Sequence, residues 1–129
     1  MPYSIKRQNG FVEVEVWGET SAAEIIAAVN EIHAEYPRKE CSDLWVLARE
    51  SMLPLSTFPT IIEAIVGLCG EDHVYRRSAI VASDQFQKAM ADMYRSEADT
   101  LPFEVGVFIS RDDAIQWLKG PPADRAGKG

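Results

Sequence analysis

The alternation of strand-like and helix-like segments constrains this chain more than any other feature. Asn9-Gly10 separates two strand-like runs, YSIKRQ and FVEVEVWG, and Asn-Gly in such a position predicts a β-hairpin. Helical patterns then alternate with short apolar runs along the rest of the chain. The predicted order is β-β-α-β-α-β-α-β-α, which indicates a single layered α/β domain with a mostly parallel five-stranded sheet.

Polar residues before the helical patterns predict where helices begin. Ser21 with Glu24 three residues later is typical of a capping box, and Ser110 with Asp113 resembles a second one. Ser83 is predicted to cap the third helix in the same way. The folded domain is expected to span 1–119, and the Gly/Pro-rich segment 120–129 is expected to be a flexible tail.

Apolar spacing also predicts which faces are buried. In FVEVEV, the valines are expected to face the core, and Phe11, Glu13 and Glu15 a mostly acidic, wet surface. Trp117 is expected in the core, where the last helix packs on the sheet. The third helix is predicted to gather its apolar residues on one face: Phe86, Ala89, Met90, Met93 and Tyr94.

Composition narrows the function mainly by exclusion. The 129 residues carry a formal net charge of −7, which opposes nonspecific binding to nucleic acid or to an anionic membrane. The longest apolar run, IIEAIVGLC, is too short to span a bilayer, so no membrane insertion is expected. Cys41 and Cys69 resemble neither a disulfide framework nor a CxxC pair, and are interpreted as reduced thiols of a cytoplasmic protein.

The chain lacks the sequence motifs that usually carry catalysis or cofactor binding. It has no GxSxG, GxGxxG or Walker sequence, and no HxxxH pair of metal ligands. His33 is interpreted as a half-buried helix residue and His73 as a solvated loop residue. We therefore expect no catalytic residues, no metal and no cofactor, and a protein that is not an enzyme.

Three stretches together resemble a known superfamily. They are VEVEVWGETSAAEI, SAIVAS and VGVFISRDDAIQWL, and the resemblance extends over roughly residues 1–119. The chain resembles the SpoIIAA-like superfamily, whose best-known members are STAS domains, and looks most similar to its uncharacterised bacterial SpoIIAA-like branch. The resemblance implies a SpoIIAA-like fold and supports fold far better than function.

The resemblance also suggests one regulatory alternative. In anti-sigma-factor antagonists of this fold, a serine after the third strand is phosphorylated within an Asp-Ser-x-Gly-like motif. The corresponding segment here, LARESMLPLSTF, contains Ser51 and Ser56 but not that motif. Ser56 and Thr57 are better explained as helix caps. A phospho-regulated antagonist stays as a second alternative, with Ser51 and Ser56 as its candidates.

The second helix is the most unusual segment, because Glu63 is its one charged residue between Thr57 and Gly70. Such a helix is either covered on two sides or exposes an apolar patch. An exposed patch predicts a homodimer. Together with the lack of catalytic motifs, this indicates that the protein is a non-catalytic binding or interaction module. Its alternative is a carrier or sensor of a small apolar, lipid-like ligand, and the preceding loop could also cover the helix. The candidate interface or ligand-binding residues are Met52, Leu55, Phe58, Ile62 and Val66.

Overall fold

The computed structural model describes residues 3–8, 10–18, 21–35, 42–48, 58–69, 77–98 and 104–119. The strands are β1 Tyr3–Arg7, β2 Phe11–Val16, β3 Ser42–Leu47, β4 Arg77–Val81 and β5 Glu104–Phe108. The helices are α1 Ala22–Glu35, α2 Phe58–Cys69, α3 Gln85–Glu97 and α4 Arg111–Lys119. The predicted order of elements is confirmed across these residues. The predicted tail, 120–129, lies outside them.

Across the described ranges, the five strands form one sheet in the order β1-β2-β3-β4-β5. The first two strands pair antiparallel, with Tyr3 opposite Val16 and Arg7 opposite Val12. All later neighbours pair parallel. Gly10 has a φ of 93°, a left-handed conformation that suits a tight hairpin turn. The predicted hairpin and mostly parallel sheet are therefore both present.

Helices cover the two faces of the sheet. On one face, the valines of β2 pack with Ala28 and Ile32 of α1 and with Ala91 of α3. On the other face, Ala114 and Leu118 of α4 pack on a cluster that includes Leu44 of β3. The strand β4 is buried along its whole length, as expected for a strand covered on both sides.

The outward face of β2 departs from the predicted wet, acidic surface. Phe11 is buried in the cluster under α4, and the Glu13 side chain is 15% exposed. Glu15 is exposed, as predicted. The prediction was wrong at Phe11 and Glu13 because it did not place α4 across this face of the sheet.

The helix caps agree with the sequence in two of three cases. Ser21 and Glu24 form the reciprocal capping box, in which the Glu24 N–H donates to Ser21 Oγ and the Ser21 N–H donates to Glu24 Oε1. The Asp113 N–H donates to Ser110 Oγ at the start of α4. At α3 the capping residue is Asp84 rather than Ser83, because its Oδ1 accepts the Gln87 N–H at 2.8 Å.

Candidate functional site

Polar groups lie at the carboxyl ends of the strands, where parallel α/β sheets usually bind their ligands. Ser83 follows β4, and its Oγ donates to the carbonyl oxygen of Leu47 at 2.6 Å. Gln87 of α3 is 2% exposed, and its Nε2 donates to the carbonyl oxygen of Ala48 at 2.7 Å. Gln87 Oε1 accepts the N–H of Ser83. These bonds tie the end of β3 to the start of α3.

This polar network has a structural explanation. An amide side chain buried without partners costs free energy, whereas Gln87 uses both its donor and its acceptor. Among the described residues, no group of three or more His, Cys, Asp or Glu side chains could hold a metal ion. In the same part of the chain, no helix is both long and apolar enough to cross a membrane.

The candidate residues on α2 divide between the interior and the surface. Phe58 and Ile62 are 1% and 7% exposed, whereas Val66 is 38% exposed. The buried residues pack against apolar side chains of α1, against Tyr94 of α3 and against Ala98, which directly follows α3. The Phe58 and Tyr94 rings meet edge to face, with centroids 5.3 Å apart. Among the α2 side chains that the structure describes, Phe58, Ile61, Ile62 and Ile65 are thus covered, and Val66 is exposed.

The remaining sequence-predicted candidates fall outside the described residues. These are the interface candidates Met52 and Leu55 and the phosphorylation candidates Ser51 and Ser56. Cys41 and His73 lie outside them as well. His33 is half-buried on α1, in agreement with its interpretation from the sequence.

Part of the predicted apolar face of α3 is exposed. Phe86 is 64% exposed and Met93 is 49% exposed, and Ala89 between them is also exposed. They follow one another at spacings of three and four residues, so they lie on one side of the helix. We call Phe86, Ala89 and Met93 the α3 stripe. Met90 is buried and Tyr94 half-buried, so the apolar face predicted from the spacing is covered along one side and exposed along the stripe.

The orientation of α3, with Gln87 inward and the α3 stripe outward, has a physical reason. Burying the stripe would turn Gln87 away from Ala48 and leave the carbonyl and the N–H that it bonds in need of other partners. A buried polar group without a partner costs about 1–3 kcal/mol. The Gln87 network therefore favours the orientation in which Phe86 and Met93 face outward. In the sequence, the one sign of this orientation is Gln87, a polar residue within the apolar pattern of α3. Helical periodicity alone does not show that Gln87 is buried.

Charged residues lie beside the α3 stripe. Lys88 Nζ contacts Asp92 Oδ2 at 3.0 Å, and Arg95 Nη2 lies 3.8 Å from Asp92 Oδ1. The described helix contains two basic residues, Lys88 and Arg95, and two acidic ones, Asp92 and Glu97. The formal charge of α3 is therefore zero, in a chain whose net charge is −7.

Arginine contacts hold α4 at both ends. Near its start, Arg111 donates through Nε and Nη2 to the two carboxylate oxygens of Glu13, at 3.0 and 2.7 Å. The hydrogen bonds from Arg111 hold the pKa of Glu13 below its ordinary value, although burial acts in the opposite direction. At the other end, Arg77 of β4 donates through Nη1 to the carbonyl oxygen of Trp117.

Trp117 packs on the sheet as predicted, but it is half-buried beside the core rather than within it. Its ring lies 5.4 Å from the ring of Phe108, and the guanidinium carbon of Arg77 lies 4.8 Å from its centroid. Arg77 Nε also lies 3.9 Å from Glu104 Oε1. A cation over an indole face adds to the attraction at this site. These contacts explain Trp117 as a packing residue.

Comparisons with known proteins bear on the fold. A scan against known protein families gives no match, and a search of curated proteins gives none either. Among solved structures, the chain is similar to an uncharacterised protein of the DUF3478 family with a SpoIIAA-like fold, from Shewanella loihica. The likeness covers 90% of this chain and 91% of that chain, with a TM-score of 0.58 and 18% sequence identity. At this identity the likeness concerns the fold alone, and this chain has a SpoIIAA-like α/β fold.

Proposed function

We propose that this chain is a non-catalytic protein-interaction module that associates with itself through the α3 stripe. The exposure of Phe86 and Met93 is the observation that carries this proposal, since they are 64% and 49% exposed. Single exposed apolar residues are common, but Phe86 and Met93 lie two turns apart on one helix side with the exposed Ala89 between them, and such a patch favours association. A second copy of the chain offers the same patch, and twofold pairing covers both at once.

The polar residues at the carboxyl edge of the sheet support a non-catalytic role. Ser83, Asp84 and Gln87 hydrogen-bond to one another and to the end of β3. A catalytic group needs a geometry from which it can reach a substrate. The bonds seen here instead hold two elements of the fold together, which is a structural use of the residues in this position.

The proposed surface differs from the one that the sequence favoured. Phe58 and Ile62 pack against α1 and against Tyr94 of α3, which weakens the case for a patch on α2. Val66 is the α2 candidate whose side chain is described as exposed, at 38%. The proposed interface therefore lies on α3, and Val66 becomes the residue that tests an interface on α2.

Sedimentation velocity at tens of micromolar, together with native mass spectrometry, tests this function. We expect the unmodified chain to be a dimer, and Phe86→Glu and Met93→Glu to be monomers with unchanged circular dichroism. Ile109→Glu is the matched control, because Ile109 is 45% exposed, directly follows β5 and should leave the dimer intact. Val66→Glu reports on α2 in the same experiment.

Each contrary outcome has a distinct meaning. A monomeric unmodified chain would refute self-association. A dimer that Val66→Glu alone disrupts would return the interface to α2. A small molecule retained in the native spectrum would favour the apolar-ligand carrier, and an added phosphate would favour the phospho-regulated antagonist.

A further inference from the structure

We propose that two copies of the chain pair through antiparallel α3 helices, with the twofold axis beside residues 89–90. This inference rests on the proposed self-association and adds the arrangement of the two subunits. In an antiparallel pair, a residue of one helix lies level with a residue of the other helix when the average of their two numbers equals the axis position. The positions of the stripe and of its flanking charges can therefore be compared with one axis position.

The apolar residues fit an axis beside residues 89–90. Phe86 and Met93 lie symmetrically about position 89.5, so the Phe86 ring of each copy meets the Met93 side chain of the other. Ala89 lies at the axis itself. A small residue at this point allows the helices to approach closely, while Phe86 and Met93 fill the space on either side. The stripe is thus complementary to its own inverted copy.

The charges fit the same axis independently. Lys88 and Asp92 lie symmetrically about position 90, which differs from the apolar centre by half a residue, or about 0.75 Å along a helix. Lys88 of one copy is therefore level with Asp92 of the other. Their contact of 3.0 Å within one chain places both charges on the same flank. Each dimer would then contain a symmetric network of two lysines and two aspartates.

The distribution of charge over the chain also favours α3 as the contact. A net charge of −7 makes two copies repel each other. The described residues of α3 contribute none of that excess, because its two basic and two acidic residues cancel. Contact through α3 brings a neutral surface of each copy together, whereas an acidic surface would oppose pairing.

Cysteine cross-linking tests the axis. In the dimer, the two copies of Ala89→Cys should lie close together and form a disulfide between chains under mild oxidation. Ser96→Cys is the matched control, because Ser96 is exposed on the same side of α3 but lies far from the axis. The unmodified chain measures the background from Cys41 and Cys69.

Exchange of the charges at Lys88 and Asp92 tests whether these residues pair across the axis. Lys88→Glu and Asp92→Lys should each weaken the dimer about threefold, in the range of exposed ion pairs, and the double exchange should restore it. Lys119→Glu and Glu35→Lys make the same charge changes on α4 and α1 and should have little effect.

The outcomes separate the two proposals. A monomeric unmodified chain would refute both of them. A dimer in which Ala89→Cys cross-links no better than Ser96→Cys would refute the antiparallel arrangement and leave self-association standing. If the double charge exchange failed to restore a dimer that each single exchange had weakened, the pairing of Lys88 with Asp92 across the axis would be wrong.

Discussion

The two faces of the sheet are held by different kinds of contact. On the α1 and α3 face, Val12, Val14 and Val16 are at most 1% exposed and pack among apolar side chains. On the opposite face, α4 has nine residues, of which Ala114 and Leu118 are described as buried. Arginine side chains from α4 and β4 add polar contacts near the two ends of α4.

This difference shows how a short helix can be positioned precisely on a sheet. Apolar burial is non-directional and scales with the area removed from water, so Ala114, Leu118 and the half-buried Trp117 stabilise α4 on the sheet without fixing its position. Charge-assisted hydrogen bonds are directional and identify particular partners. On this face, the arginine contacts specify where α4 lies, and the apolar contacts supply part of the stabilisation.

The largest effect is expected when the aromatic contact under α4 is removed. Trp117→Ala should lower the free energy of unfolding by about 3 kcal/mol, at the lower end for such a change because Trp117 is half-buried. Trp17→Ala is the matched control and should cost less, about 1 kcal/mol, since Trp17 is 40% exposed. Urea unfolding measures both. A loss under about 1 kcal/mol for Trp117→Ala would mean that the aromatic contact under α4 contributes little.

Removal of the buried arginine of β4 that contacts the end of α4 is expected to have the next largest effect. Arg77→Met should lower the free energy of unfolding by about 2 kcal/mol, because it removes the cation over Trp117 and a donor to the Trp117 carbonyl. Arg95→Met removes an arginine whose side chain is 54% exposed and should cost far less. Urea unfolding would contradict the anchoring role if the two variants were equally stable.

A methyl group added at Gly106 tests how tightly the α4 face is packed. A Cβ at this position would lie 2.9 Å from Phe108 and 3.1 Å from Trp117. Gly106→Ala should therefore destabilise the chain by about 1–2 kcal/mol through overpacking. Gly67→Ala, where a Cβ meets nothing within 4 Å, should instead stabilise α2 by under about 1 kcal/mol. Thermal unfolding showing the same sign for both would contradict close packing at Gly106.

The smallest effect is expected from the ion pair at the start of α4. Because Arg111 lowers the pKa of Glu13 in the folded chain, this pair stabilises the fold above the unfolded pKa of Glu13 and loses its effect as pH falls through the lower folded pKa. Glu13→Gln should cost under about 1 kcal/mol at neutral pH and less in acid.

Urea unfolding between pH 7 and pH 3 measures this dependence. Glu15→Gln is the control, since it removes a carboxylate from an exposed position on the same strand. If Glu13→Gln follows the same pH dependence as the unmodified chain, the Arg111 contact does not contribute to stability.

The sequence predicted the elements well because each has a local signal. The Asn9-Gly10 dipeptide, the Ser21–Glu24 capping box and the short apolar runs all reflect interactions between residues close in the chain. Such signals do not depend on which helix covers which face. Hence the hairpin, the alternation and the mostly parallel sheet could be predicted before any tertiary contact was known.

The candidate surface could not be predicted in the same way. The orientation of α3 depends on Gln87 reaching Ala48, which lies 39 positions earlier in the chain. Phe11 and Glu13 are likewise covered by α4, whose Arg111 is 98 positions from Glu13. Helical periodicity identified the apolar residues, but long-range hydrogen bonds decided which of them face the solvent.

The strand order has a consequence for how the chain can fold during synthesis. Each described strand lies beside the strand that precedes it, so every new strand leaving the ribosome can join the free edge of the sheet already formed. Early segments need not wait for a distant strand to be inserted between them. The described helix α4 is synthesised after all five described strands, so the second face of the sheet can be covered only at that stage. At about 5–20 residues per second, synthesis of the 129 residues takes about 6–26 seconds, which is the time over which the strands become available in order.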